Sequence, residues 1–173
     1  MGLLKGLPPL LTADMLYILR SMGHGDKLCI CDCNFPAAEC ATKTTSGEKV
    51  DLSCDLPAAL EAICSVLPLD YFVESPAVHM SPQEGVALPP LGKEVTDAIK
   101  STILAQCPGI SITACDRFAF YEEARSSYAI VQCLERRPYG NVILTKGVVG
   151  PDGKDLKPEK EGPPKKKAKS RES

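Results

Sequence analysis

With 173 residues the chain is long enough for one domain and a tail, and 44% hydrophobic content with 5% aromatics and no Trp implies an aliphatic core. No run approaches the ~18 apolar residues of a membrane span, and the N-terminal GLLKGLPPLL is too short and proline-rich for a signal segment, so a cytoplasmic protein without a membrane partner is expected. The net charge of −2 conceals a tail of +3 over residues 151–173 and a body of −5, which leaves the body no electrostatic footprint for nucleic acid.

In chain order, Thr12 can cap a helix over 13–22, with Met15, Leu16, Leu19 and Met22 at helical spacing and Gly23 as its stop. KLCICDC, 27–33, predicts a strand buried on both faces, with Cys29, Cys31 and Cys33 on one side and Leu28, Ile30 and Asp32 on the other. Residues 39–54 read as an irregular connection with a short strand near 49–53. Asp55 caps a second helix that Pro68 ends. YFVESPAVHM contains a short strand, and PQEGVALPPLGK is a loop before a third helix over 93–106. ISITAC (strand), RFAFYEEARS (helix), SYAIVQCL (strand), RRPYGN (turn) and NVILTKGVV (strand) complete the body.

Helices alternating with apolar strands predict a single α/β layered domain over 1–150, its helices packed on a central, mostly parallel sheet. The stretch 151–173 carries few apolar residues and reads as a disordered Lys-rich tail. Its PPKKKAK has the composition of a nuclear import signal, although a plain solvated tail is the simpler reading.

The nine cysteines are an odd number without a secretory signal and without C-x-x-C, which disfavours both a disulfide scaffold and zinc. Ligands two apart on one strand do not wrap around an ion, so Cys29, Cys31 and Cys33 read as strand packing, with a zinc or redox site as the rival. There is no phosphate loop, no G-x-G-x-x-G and no G-x-S-x-G.

The chemistry-bearing candidates are few. His24 follows a helix C-terminus and is flanked by glycines, a setting that favours its protonated form and a close backbone approach. His79 reads as a satisfied histidine inside a strand. Asp32 ends an apolar strand, where an unpaired carboxylate is costly and where α/β sheets place their sites. Asp70 alone is indistinguishable from a turn residue. Arg117 precedes the aromatics Phe118, Phe120 and Tyr121 in RFAFYEEAR, with Phe118 and Tyr121 on one helical face, and a buried phenol at Tyr121 needs a partner. Tyr139 and Asn141 fall in a Y-G-N turn. His, Asp, Tyr, Arg and Asn suit a sugar or polyol handled without a cofactor or metal.

These segments resemble the RbsD/FucU family of fucose mutarotases and D-ribose pyranases. The resemblance rests on LKGLPPLLTADMLYILRSMGHGD (4–26), D-x-NFPA (32–37), LPLDYFVESPA (67–77), RFAFYEEARSSYAIV (117–131) and YGNVILTKGV (139–148), in family order and spanning most of the body. It leans toward the animal-type fucose enzymes.

The resemblance implies interconversion of the α and β anomers of a reducing sugar, L-fucose before D-ribose, by ring opening without a cofactor. It implies His24 and Tyr121 as proton-transfer groups, with Asp32, Asp70, Arg117, Tyr139 and Asn141 holding sugar hydroxyls and orienting His24. Asp32 is taken as the support of His24. It also implies a homo-oligomer with sites near subunit contacts. A ribose pyranase and a sugar-binding protein without turnover are the alternatives. Where relatives carry an Ala-Asp-Gly-like turn this chain reads Asp51, Leu52, Ser53, a departure bearing on loop shape and sugar preference.

Overall fold

The computed structural model describes residues 2–159. Five helices and six strands alternate: α1 (Ala13–Ser21), β1 (Lys27–Cys31), α2 (Ala37–Ala41), β2 (Lys49–Leu52), α3 (Leu56–Cys64), β3 (Ala77–Ser81), α4 (Pro90–Gln106), β4 (Ile112–Asp116), α5 (Arg117–Arg125), β5 (Ala129–Cys133) and β6 (Val142–Thr145). The strands form one sheet in the order β2-β5-β1-β6-β3-β4. Three of the five pairings are parallel, and β6 runs antiparallel to both of its neighbours. Five strands therefore point one way and β6 alone the other, the mostly parallel sheet the sequence implies.

The alternation along each strand divides the core between two faces. Leu28 and Ile30 of β1, Ala129 and Val131 of β5, and Val142 and Leu144 of β6 pack with α1, α3 and α4 in the larger cluster. Cys29, Cys31, Ile130, Ile143 and Met80 face the other way, against Phe35, α2 and Phe120 and Ala124 of α5. Helices thus cover both faces, which is why the central strands are apolar throughout.

Local signals set most boundaries. The Thr12 hydroxyl accepts from Met15 N–H and the Asp55 carboxylate from Ala58 N–H, so both predicted caps start their helices. α4 begins three residues before the expected position because Pro90 occupies its first turn, where a missing N–H costs nothing. α2 overlaps the start of the stretch read as irregular; five residues are too few for helical periodicity to register. β1 stops at Cys31, so Asp32 and Cys33 lie beyond the strand and Cys33 is exposed instead of packed beside Cys29 and Cys31. Asp51 and Leu52 belong to edge strand β2, the short strand expected near 49–53.

Ordered structure runs past residue 150. Gly150 N–H bonds Lys154 O and Leu156 N–H bonds Val148 O, closing a tight turn. Lys157 then places its ammonium 4.3 Å from the Tyr71 ring centroid. The lysine run at 165–169 lies outside the described residues. Among the described residues no helix is long and apolar enough to cross a membrane.

Candidate functional site

The candidate residues gather at the two opposite ends of the β1/β6 pair. At the C-terminal ends of β1 and β3 a cleft of about 360 Å³ is lined by Asp32, Asn34, Phe35, Met80, Arg117, Tyr121, Pro138, Tyr139 and Asn141. This is the edge at which open α/β sheets bind ligands, because the strand ends and following loops diverge there.

Asp32 is buried, and its carboxylate is held from two sides. Oδ1 accepts Asn34 N–H at 2.9 Å and Oδ2 accepts the Asn141 amide at 2.8 Å. Asn141 returns its own oxygen to the Asp32 N–H at 3.0 Å, so the two side chains lock the ends of β1 and β6 together. Burial pushes the Asp32 carboxyl above its ordinary value, while those hydrogen bonds pull it back. The Gln132 amide donates to the carbonyls of Asp32 and Phe35, both at 3.2 Å, and fixes the loop between them.

Arg117 and Tyr121 come from the first turns of α5, whose start is set by the Asp116 side chain accepting Phe118 and Ala119 N–H. They are four apart on one helical face, and the guanidinium lies 5.6 Å from the Tyr121 ring centroid. Phe35 meets the same tyrosine edge-on, centroids 5.3 Å apart. These contacts orient the phenol toward the cleft without burying its oxygen against a fixed partner.

Tyr139 has φ +66°, a left-handed backbone that a side chain other than glycine seldom takes. Glu135 holds that turn. Its carboxylate accepts Arg137 N–H, Nε–H and Nη2–H at 2.9, 2.8 and 2.6 Å, and Leu56 N–H at 3.4 Å. Burial would raise its pKa, but the Arg137 guanidinium and these N–H groups bring it down to about 2. Gly140 is required here, since a Cβ would fall 2.6 Å from Glu135 Cγ.

At the other end stand His24 and Asp70. His24 Nε2 lies 2.8 Å from Asp70 Oδ2, and Asp70 Oδ1 accepts Phe72 N–H at 2.9 Å. Asp70 is 2% exposed and His24 56%, so the carboxylate is buried beneath an imidazole that faces outward. A carboxylate oxygen accepts, so Nε2 is the nitrogen that donates in this pair.

Five of the seven expected residues, Asp32, Arg117, Tyr121, Tyr139 and Asn141, therefore share one cleft. His24 and Asp70 do not reach it within the chain, because the five residues of β1 at about 3.3 Å each place roughly 17 Å between the two ends. Asp70, not Asp32, supports His24: the segment after α3 bonds to the last residue of β6, Asp70 N–H to Thr145 O, beside the His24 loop. His79 is buried in β3 with Nδ1 against Met80 O, as a satisfied strand histidine should be. Cys29 and Cys31 pack in the apolar cluster away from the exposed Cys33, so the three do not converge.

The sequence reading passes over Asn34, Phe35, Met80 and Pro138 as lining residues. Asn34 and Phe35 stand in the D-x-NFPA motif and Pro138 immediately before Y-G-N, so their segments carry a signal. Met80 has none, since an apolar residue on a strand looks like core. Asp51 and Leu52 are not among the cleft residues.

The chain is 37% identical over 160 residues to a fucose mutarotase of Bos taurus, covering 90% of this chain and 99% of the relative. It is 35% identical over 147 residues to an L-fucose mutarotase of Histophilus somni, covering 84% and 97%. Among solved structures, the fucose mutarotase of Streptococcus pneumoniae in complex with L-fucose matches with a TM-score of 0.73 at 34% identity, over 85% of this chain and all of that one. The family model for the RbsD / FucU transport protein family matches residues 5–149, nearly the whole described body, and the chain belongs to that family.

Proposed function

We propose that this chain is an L-fucose mutarotase, interconverting the α and β anomers by acid/base ring opening without a cofactor. The observation that carries the reading is the cleft itself: a buried carboxylate, a guanidinium, an amide and two phenols converge on a space of about 360 Å³ at the carboxyl edge of the sheet. A monosaccharide presents only hydroxyls and a ring oxygen, and such a set of fixed donors and acceptors discriminates among them. The likeness to a structure holding L-fucose supports this sugar over D-ribose.

In the reaction a base removes the proton of the anomeric hydroxyl while an acid protonates the ring oxygen. The C1–O5 bond breaks, the aldehyde rotates, and reclosure on the other face returns both protons. Tyr121 is one of the two proton-transfer groups and His24 the other, with Asp32, Arg117, Tyr139 and Asn141 holding the hydroxyls. Asp70 orients His24 rather than contacting sugar.

Because His24 and the cleft occupy opposite ends of one chain, the complete site requires the His24–Asp70 end of a second copy. The working form is accordingly a homo-oligomer with sites at subunit contacts, built from the domain over residues 1–150 and acting in the cytoplasm. The test is NMR exchange between the anomers of L-fucose with the wild-type chain and with His24→Ala. Acceleration lost in the variant supports the reading. Fucose binding without exchange supports a binding protein, and exchange of D-ribose pyranose and furanose in preference to fucose supports a pyranase.

A further inference from the structure

We propose that Lys146 is the positioning residue of the His24–Asp70 pair. The role rests on the assignment of His24 as a proton-transfer group, but the geometry that suggests it does not.

Lys146 follows β6, and its side chain makes an unusual choice of partners. The ammonium donates to Leu19 O at 2.8 Å and Met22 O at 2.6 Å, two carbonyls at the end of α1. The last carbonyls of a helix have no intrahelical donor, and a cation there satisfies them and opposes the helix dipole. Half-buried, Lys146 has its pKa pushed down by burial, with Asp26 opposing that shift and Arg20 adding to it. An ammonium spent on two neutral carbonyls stabilises chiefly what those carbonyls hold, and Met22 is two residues before His24.

The backbone completes the frame. Lys146 N–H bonds Asp26 O at 2.8 Å and Gly25 N–H bonds Lys146 O at 2.9 Å, so the His24 loop is laced to this one residue. Within the loop Gly23 N–H reaches Asp26 Oδ2 at 2.6 Å. On the other side Thr145 O accepts Asp70 N–H at 3.1 Å and Gly147 N–H bonds Pro68 O at 2.8 Å. A Cβ at Gly147 would stand 2.3 Å from Leu69 O, which shows how closely the Asp70 segment lies on this strand. Residues 145–147 thus form the template on which the two halves of the pair meet. The ammonium is its one side-chain element, anchoring α1 so that His24 arrives with Nε2 toward Asp70.

The test uses the full chain with ring-labelled histidine, comparing wild type with Lys146→Met and with Lys146→Gln, which keeps an N–H donor one atom shorter. Histidine 15N shifts report the tautomer, and His79, buried in β3, serves as an internal reference. In wild type a single Nε2–H tautomer is expected for His24. In Lys146→Met its nitrogens should move toward the average of a free imidazole while those of His79 stay fixed, with Lys146→Gln intermediate. Fucose exchange should show kcat reduced about tenfold or more with KM little changed, because a small misplacement of a reacting group is felt in the chemical step. Ile103→Val, a core change in α4 away from both ends, controls for general destabilisation.

Unchanged His24 shifts in Lys146→Met overturn the proposal whatever the activity, as does a kcat loss no larger than that of Ile103→Val. Failure of both Lys146 variants to fold also overturns it, in favour of a purely structural lysine. If the wild type does not accelerate anomer exchange, the mutarotase reading fails, while the nitrogen shifts still decide the role of Lys146.

Discussion

His24 Nε2 and Asp70 Oδ2 stand 2.8 Å apart although 46 positions separate them in the chain, with the imidazole open and the carboxylate buried. A buried carboxylate beneath an exposed imidazole selects one tautomer and stabilises the imidazolium that forms when Nδ1 takes a proton. Asp70→Asn presents an amide that can offer Nε2 its N–H, favouring the opposite tautomer. The expected result is a kcat for fucose anomer exchange lower by on the order of 10²–10⁴ with sugar binding retained, the pattern of other carboxylate–imidazole pairs. Saturation-transfer NMR for exchange and calorimetry for binding check it; a variant with near-normal kcat would remove Asp70 from the mechanism.

The separation of His24 from the cleft makes a second expectation. His24→Ala and Tyr121→Phe should each be inactive alone. Co-refolded in equal amounts they should regain activity in about a quarter of sites, since random assembly pairs an intact histidine with an intact tyrosine at that frequency. A mixture as inactive as its components would mean that the two groups are not shared between copies.

Glu135 ties the Y-G-N turn to α3, and its folded-state pKa of about 2 lies below the ordinary glutamate value of 4.5. A depressed carboxylate contributes stability that is fully present above the unfolded pKa and lost as pH falls through the folded one. Glu135→Gln should therefore cost on the order of 2–3 kcal/mol at neutral pH, since charge-assisted hydrogen bonds are lost. The gap to wild type in denaturant midpoint should narrow as pH falls from about 4.5 toward 2. A pH-independent gap would refute the electrostatic account.

Tyr139 offers a test of stored strain. With φ at +66°, replacement by Gly releases a left-handed backbone while replacement by Ala keeps it. Both remove the ring from the cleft and should weaken fucose binding, but Tyr139→Gly should be more stable than Tyr139→Ala by roughly 1 kcal/mol. That reverses the order expected at an ordinary loop position, where Gly costs more chain entropy. Thermal melts of the two variants decide it.

Much of this protein is written locally. The Thr12 and Asp55 caps, the apolar stripes of α1, α3 and α4, and the two-faced apolar strands follow from short-range stereochemistry and from which residues water excludes, so the α/β layers are legible from the chain alone. The motif segments likewise point to the cleft residues, because Asp32, Arg117, Tyr139 and Asn141 sit at element ends that the pattern marks and Tyr121 follows one turn into α5. The partnership of His24 was not legible. A carboxylate at position 32 lies nearer in sequence than one at 70, yet β1 extends between His24 and Asp32 and carries them apart, while β6, the one strand running backwards, brings Thr145 and hence Asp70 to the histidine. Strand direction is a property of the assembled sheet, set by pairings between distant segments, those of β1 with β5 and β6 spanning more than a hundred residues. Only the tertiary structure therefore decides that the candidate residues divide between the two opposite ends of the β1/β6 pair.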